Sequence, residues 1–214
     1  MKVTALEYQK KDPDRVNIFV DGEYAFGMYV NDVVGESIFV GKEISEDEIL
    51  HILRKDITSR LYNRCLDILT GTLKTEKQIR DHINKVYRQR ASDWDTRSVM
   101  SDDITAVADE IIDRLNGLGL IDDSKFAKAY ISSYYLSKPV SLYELKGKLL
   151  SKGIAKEIID DAFYDMELDE LEMLKYALQK KSKNDRIKKG DDKLIQYLSR
   201  KGFSWDLIST MIEE

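Results

Sequence analysis

Leu145-Lys146-Gly147-Lys148-Leu149-Leu150-Ser151-Lys152-Gly153-Ile154-Ala155-Lys156-Glu157-Ile158-Ile159-Asp160-Asp161-Ala162-Phe163 has a near-double 49 residues further on. That double is Leu194-Ile195-Gln196-Tyr197-Leu198-Ser199-Arg200-Lys201-Gly202-Phe203-Ser204-Trp205-Asp206-Leu207-Ile208-Ser209-Thr210-Met211-Ile212. Leu145, Leu149, Lys152, Gly153 and Ile159 recur as Leu194, Leu198, Lys201, Gly202 and Ile208. Each copy reads as a helix, a Lys-Gly stop and a second helix. Self-similarity at such a period is the mark of stacked helical units, each burying the apolar face of its neighbour. An array of this kind offers a long surface to a partner and no obvious catalytic pocket.

A third copy is found through helix-start signals. Thr75-x-x-Gln78 and Ser141-x-x-Glu144 are capping boxes, in which a hydroxyl accepts from the third amide and the third side chain reaches back. Thr75, Ile79 and Ile83 match Ser141, Leu145 and Leu149 at an offset of 66. Ile111, Ile112 and Asp113 match Ile158, Ile159 and Asp160 at an offset of 47. The first copy therefore carries an insertion of 66 − 47 = 19 residues between Asn84 and Ala108, placed at about 85–107. Each unit begins with its own helix: Leu61–Leu69, Ser124–Tyr135 and Leu168–Lys181. In front of Ser124, Asp122 is the expected N-cap.

Residues 1–44 differ in kind. Val3–Tyr8, Arg15–Val20 and Glu23–Met28 are rich in β-formers, and Asp21-Gly22 between the last two is a hairpin signal, since a type I′ turn needs positive φ at both central residues. Three antiparallel strands are expected, followed by a short helical or irregular piece over 29–42. Ser45-Glu46-Asp47-Glu48 is a further capping box, opening a connecting helix over 45–60 that bends or breaks near Thr58-Ser59. The expected fold is mainly α, with three tandem three-helix repeats in an elongated, curved array behind a small N-terminal antiparallel β region. The divisions fall at 1–44, 45–60, 61–121, 122–166 and 167–214.

Composition agrees. In 214 residues, 43% apolar and 34% charged side chains with two prolines describe a helix-rich globular chain rather than a disordered one. A net charge of −5 does not by itself point to nucleic acid. One cysteine, Cys65, excludes an internal disulfide, and with Leu61, Leu66 and Leu69 on its stripe it reads as a packed core thiol. The start, MKVTALEYQK, lacks an apolar signal core, and no run nears the roughly 20 apolar residues of a membrane span. A cytoplasmic location with no membrane contact is expected.

Several of these residues also carry a family resemblance. Gly119-Leu120-Ile121-Asp122-Asp123-Ser124-Lys125-Phe126-Ala127 resembles the Gly-x-hydrophobic-Asp-Asp-x-x-Phe-Ala signature of the RecX family of regulatory proteins. Leu149-x-x-Lys152-Gly153-Ile154, followed by Ile158 and Ile159, resembles the second motif of that family. Arg15-Val16-Asn17-Ile18 and Asp21-Gly22-Glu23-Tyr24-Ala25-Phe26 resemble the N-terminal extension of its Gram-positive members, and Tyr62-Asn63-Arg64-Cys65-Leu66 the start of the first repeat. The resemblance implies three tandem three-helix repeats. It also implies a monomeric modulator of the RecA recombinase that binds RecA and its nucleoprotein filament and suppresses strand exchange, ATP hydrolysis and coprotease activity. The chain departs from the family in its first repeat, where the insertion stands in place of the Lys-Gly stop.

No catalytic constellation is visible. His51 and His82 have no partner at metal-ligand spacing, no phosphate-binding loop occurs, and no cofactor is expected. Asp102-Asp103 and Asp122-Asp123 sit at helix starts, where the dipole favours them. Tyr130, Tyr134 and Tyr135 fall at helical spacing and read as core and rim. Within the insertion, Tyr87, Arg88, Arg90, Trp94 and Arg97 are interleaved in the manner of a base-stacking patch, but Asp93, Asp95, Asp102 and Asp103 dilute it. The clearest functional signal is charge placement. Gly153–Leu174 holds one basic residue against eight acidic ones, whereas Lys175–Lys201 holds ten basic against three acidic. Lys180, Lys181, Lys183, Arg186, Lys188, Lys189, Arg200 and Lys201 form either a solvated loop, Lys181–Gly190, with its flanks, or an electrostatic footprint for phosphate or an acidic protein surface. Lys146, Lys148 and Lys152 are the corresponding candidates in the second repeat. A direct DNA-binding helical module is the rival reading to a RecA regulator.

Overall fold

The computed structural model describes residues 1–90, 94, 103–135 and 137–213. The chain is mainly helical, with ten helices among the described residues and one three-stranded antiparallel sheet at the N-terminus. Its residues fall into two compact units: 1–72 with 79–120, and 73–78 with 121–214.

In the first unit, β1 (Val3–Tyr8), β2 (Arg15–Val20) and β3 (Glu23–Tyr29) lie in the order β1-β2-β3. The β2–β3 hairpin turns at Asp21 (φ 51°) and Gly22 (φ 88°), the two positive dihedrals that the Asp-Gly pair predicts. Val3, Val16, Ile18, Val20, Phe26 and Met28 form one buried face against Ile38, Ile44, Ile52 and Leu53. The piece after the sheet contains a short helix, α1 (Val30–Gly35).

Helix α2 (Glu46–Leu69) begins with the complete Ser45 capping box: the Glu48 amide donates to Ser45 Oγ at 3.2 Å, and the Ser45 amide donates to Glu48 Oε2 at 2.8 Å. The expected break near Thr58-Ser59 is absent. Thr58 Oγ1 donates to the Arg54 carbonyl at 3.0 Å, so the hydroxyl is satisfied inside the helix, and the buried stripe Ile52, Leu53, Ile57, Leu61, Cys65 runs through without a shift of face. The division expected between 60 and 61 therefore falls within one helix. Helices α3 (Glu76–Arg90) and α4 (Asp103–Gly117) follow, α4 packing on α2. Of the insertion over 85–107, the readings on Asp93, Asp95, Arg97 and the Asp102-Asp103 side chains lie outside the described residues. Trp94 is described, and the Arg60 guanidinium stands 5.4 Å from its ring centroid.

The second unit contains α5 (Asp123–Tyr134), α6 (Leu142–Ser151), α7 (Lys156–Asp165), α8 (Glu170–Ser182), α9 (Asp192–Arg200) and α10 (Trp205–Ser209). Phe126, Ile131, Leu145, Leu149, Ile159, Leu174, Leu178, Leu194, Leu198 and Ile208 belong to one continuous apolar core in it. The two Lys-Gly stops are built alike. Gly153 (φ 88°) and Gly202 (φ 85°) take the left-handed position, their amides donating at 2.9 Å to the carbonyls of Leu150 and Ser199. The next amides, of Ile154 and Phe203, donate at 3.3 Å to Leu149 and Leu198. This pattern satisfies the last helical carbonyls and requires a residue without a Cβ penalty at positive φ.

One capping box is only half made. The Glu144 amide donates to Ser141 Oγ at 3.1 Å, but the Ser141 amide donates to the Lys201 carbonyl at 3.1 Å instead of to Glu144. The stretch Lys181–Gly190 is also more than a solvated loop. Helix α8 extends through Ser182, and Ile187 is fully buried, exchanging backbone hydrogen bonds of 2.9 Å with Met211 and Glu213.

Candidate binding surface

The basic side chains of the second unit are organised by tyrosine rings. Asp122 caps α5 by accepting from the Lys125 amide at 2.8 Å. Phe126, Tyr130 and Tyr134 then follow at helical spacing and stack on one another with centroids 5.9 and 4.8 Å apart. Lys152, at the end of α6, holds its Nζ 5.1 Å from the Tyr130 centroid and 5.9 Å from that of Phe126. Lys138 stands 4.1 Å from the Tyr134 centroid. Burial pushes the Tyr130 phenol above its ordinary value, so it stays a neutral hydroxyl.

The same arrangement recurs in the last three helices. Asp169 caps α8, accepting from the Leu171 and Glu172 amides at 2.8 and 3.3 Å. Near the other end of α8, Lys180 Nζ lies 5.3 Å from the Tyr176 centroid and 3.2 Å from its hydroxyl. Lys181 from α8 and Lys201 from the end of α9 share the Tyr197 ring, at 5.3 and 5.9 Å. A cation over an aromatic face is attracted by the ring quadrupole and keeps its outward N–H donors. Around Tyr197, Lys181, Lys193 and Arg200 line an open cleft of about 390 Å³. Its carboxylate, Asp191, is engaged in capping α9 through the Leu194 amide at 3.1 Å.

Lys183, Arg186, Lys188 and Lys189 are exposed on either side of buried Ile187, and none has an ion-pair partner among the described residues. Lys183 caps α8 in the left-handed conformation (φ 59°). The second-repeat lysines differ from one another. Lys146 is paired with Asp160, and Lys148 with Glu144 at 3.0 Å, so both are partly neutralised, whereas Lys152 stands over the Phe126 and Tyr130 rings and has no ion-pair partner among the described residues. The structure thus brings Lys181, Arg200 and Lys201 together at Tyr197, and sets Lys146 and Lys148 apart as ion-paired side chains.

The tyrosine partners are absent from the sequence reading, although a signal for them exists. Tyr176/Lys180 and Tyr197/Lys201 are each four residues apart along or at the end of a helix, which stacks one side chain over the other, and Tyr134/Lys138 has the same spacing in the turn that follows α5.

Among the described residues, no group of three or more His, Cys, Asp and Glu is placed to hold a metal ion. Cys65 is fully buried, and burial pushes its thiol up to about 12, which keeps it protonated. His51 is exposed on α2. Among the described residues, no helix is long and apolar enough to cross a membrane.

Comparison with known proteins agrees with this surface-built picture. Residues 1–45, which hold the sheet and α1, match the family model described as the regulatory protein RecX N-terminal domain. A regulatory protein RecX from Clostridium beijerinckii is 30% identical over 220 aligned residues, spanning 100% of this chain and 95% of its own length. One from Bacillus licheniformis is 32% identical over 99% of this chain and 76% of its own. A crystal structure of a regulatory protein RecX shares the fold at a TM-score of 0.69 and 23% identity, covering 98% of both chains. The crystal structure of RecX from Lactobacillus salivarius gives a TM-score of 0.51 at 28% identity, covering 73% of this chain and 95% of that one. With identity at this level along the whole chain and the same sheet-then-helices fold, this protein belongs to the RecX family of regulatory proteins.

Proposed function

We propose that this chain is a non-enzymatic regulator of homologous recombination and DNA repair, acting in the cytoplasm as a monomer. It binds RecA and the RecA–DNA filament and lowers their activity. The observation that carries the proposal is the run of exposed and half-buried cations held over tyrosine rings from α5 to α9, in a chain whose relatives are named regulatory proteins. A nucleoprotein filament presents phosphates and acidic side chains in a regular array, and this surface meets both with oriented N–H donors. In this reading the chain from 61 onward acts as three units, 61–121, 122–166 and 167–214, so that several weak contacts along a filament combine into one strong one. The N-terminal region, 1–44, braces α2 through the buried face it shares with Ile52 and Leu53.

The test is RecA ATPase on single-stranded DNA, titrated with this protein. Inhibition at substoichiometric amounts is expected. Unchanged ATPase and strand exchange at equimolar protein, with no co-sedimentation on filaments, would sink the proposal.

A second reading is favoured by the Tyr197 cleft, where two lysines share one ring beside Arg200. In that reading the third unit binds bare DNA directly. Each phosphate neutralised should then steepen the fall of log affinity with log salt by about 0.7–0.9. Changing Lys181, Lys183, Lys188 and Lys189 to Glu separates the two readings. Loss of bare-DNA binding with a flatter salt slope favours the second, and loss of filament binding alone favours the first.

A further inference from the structure

Helix α6 turns three residues outward in one line, Tyr143, Gly147 and Leu150, at the i, i+4 and i+7 spacing of a single helical stripe. Tyr143 is 80% and Leu150 46% exposed, and Gly147 leaves a notch between them. The three border an open groove of about 540 Å³, while the opposite face of the helix packs into the core through Leu145 and Leu149. The internal repeat shows that the fold does not require this stripe. Its equivalents, 49 residues on and 66 residues back, are Asp192, Gln196 and Ser199 on α9 and Lys77, Asp81 and Asn84 on α3. All six are polar, whereas the buried positions stay apolar in every copy: Ile79 and Ile83, Leu145 and Leu149, Leu194 and Leu198. Nor does the chain itself require glycine at 147. The residue is helical, not left-handed, and a Cβ there would meet nothing within 4 Å. Glycine weakens a helix interior, and its use is to let something approach the backbone closely.

The charges around the stripe define what fits it. Lys146 and Lys148 flank it but are ion-paired with Asp160 and Glu144, so the stripe itself has little attraction for phosphate. Unpaired cations begin at its edge. Lys148 and Lys138 both face the Tyr134 phenol, and neither Lys138 nor Lys152 has an ion-pair partner among the described residues. The apolar stripe therefore runs on into the cationic surface described above, and its complement is an apolar ridge with acidic side chains along one edge. Bare nucleic acid has no such ridge. A second copy of the stripe would bring up the same cations, which repel. We propose that the α6 stripe docks an amphipathic, acid-edged helix of a partner protein, with one large apolar side chain entering the notch at Gly147 and acidic side chains lying toward Lys138 and Lys152. The assignment rests on the reading in which this chain meets a protein-coated filament, and it gives that reading its protein contact.

The test titrates the whole chain, labelled with ¹⁵N, with three alanine-based helical peptides at equal ionic strength. One carries a leucine stripe edged by Glu, the second has Lys in place of Glu, and the third has Ser in place of Leu. Saturable amide shifts centred on Tyr143, Gly147 and Leu150 and reaching Lys138 are expected with the first, and about tenfold or more weaker binding with the other two. Tyr143→Asp and Gly147→Gln each install the residue that α9 carries at the equivalent place, and both suit an exposed helix. Each should weaken the first peptide about tenfold, and should weaken binding to RecA-coated single-stranded DNA while leaving bare-DNA binding and its salt slope unchanged. Equal shifts for the three peptides, or binding of the first peptide that neither variant alters, would overturn the proposal. So would a concentration-dependent dimer, or sedimentation with phosphatidylglycerol vesicles, that Gly147→Gln abolishes, since the face would then belong to a second copy or to lipid. If the parent protein fails to bind filaments at all, the regulator reading falls, and the peptide titration still decides the stripe.

Discussion

The Thr75 hydroxyl donates to the Lys152 carbonyl at 2.8 Å, so the cap of one helix closes on the Lys-Gly stop of another 77 residues away. The contact has a counterpart. The Ser141 amide donates to the Lys201 carbonyl at 3.1 Å, and Ser141 and Lys201 are the residues that the internal repeat aligns with Thr75 and Lys152. One residue on, the Glu76 amide donates to Asp123 at 3.0 Å and the Leu142 amide to Glu170 at 3.1 Å. The first free amides of two helices are thus satisfied by carboxylates at the starts of two others, which is where the helix dipole favours negative charge. The recurrence seen in sequence is therefore also a recurrence of joints.

Glycine at each joint is required twice over. A Cβ on Gly202 would sit 2.4 Å from Ser141 Oγ, and one on Gly153 would sit 2.4 Å from Lys77 Cβ, both at positive φ. Gly190 has the same dihedral (φ 85°) with nothing within 4 Å. Gly190→Ala should lose only the conformational term, about 1–2 kcal/mol. Gly202→Ala and Gly153→Ala should lose about 1–3 kcal/mol more from the collision. Urea denaturation of the three variants decides it, and equal losses would show that the joints have no energetic weight.

Thr75 is fully buried. Thr75→Val keeps the shape while stranding the Lys152 carbonyl and the Gln78 amide, which donates to Thr75 Oγ1 at 3.2 Å. A loss of about 1–3 kcal/mol is expected by chemical denaturation. Thr75→Ser, which retains the hydroxyl, should recover most of it.

Asp123 provides a pH test. Burial, and then the proximity of Glu76 and Asp122, raise its pKa above 3.8, against the lowering effect of the Glu76 amide. The folded protein then holds this proton more tightly than the unfolded chain. Its contribution to stability is complete below about 3.8 and is lost as pH rises through the raised value. Asp123→Asn can still accept from the Glu76 amide and has no charge to bury. Its stability relative to the parent should rise with pH across that window and level off above it. Thermal melts of both proteins between pH 3 and pH 7 test the sign, and an opposite slope would reject the assignment.

In the first unit, Arg15 and Asp56 are both buried, with Nη1–Oδ1 at 2.7 Å and Nη2–Oδ2 at 3.0 Å. Arg60 Nε adds a contact to Asp56 at 2.7 Å, and Arg15 also donates to the Gly27 carbonyl at 2.8 Å. Asp56→Ala should destabilise by about 3–5 kcal/mol because it leaves Arg15 uncompensated. The double variant Arg15→Met with Asp56→Leu should be less damaging than Asp56→Ala alone. If the double variant is the worse of the two, the pair itself, and not the stranded charge, holds the sheet to α2.

Leu149 and Leu198 occupy equivalent places and are both fully buried. Replacing either by Ala should cost about 2–5 kcal/mol. Losses below about 0.5 kcal/mol at both positions, in the range of surface substitutions, would mean that the repeat is not a packing repeat.

Much of this protein was decided by short-range chemistry and is legible in the chain. Ser45 with Glu48, Asp21 with Gly22, and Lys152 with Gly153 each act over a few residues, so their amide partners and dihedrals follow from local geometry alone. The apolar stripes are legible for the same reason, and so is the sheet. What only the tertiary structure decided involves partners far apart. Nothing local tells that Arg15 is buried on Asp56, 41 residues on, or that Lys181 and Lys201 share Tyr197. Nor does it tell that Lys146 and Lys148 are partly neutralised by ion pairs while Lys183 and Lys188 have none among the described residues. A charge in a sequence has a sign but no neighbours. Whether it is a free cation, half of an ion pair or the lid on a ring depends on which helix face packing turns toward it.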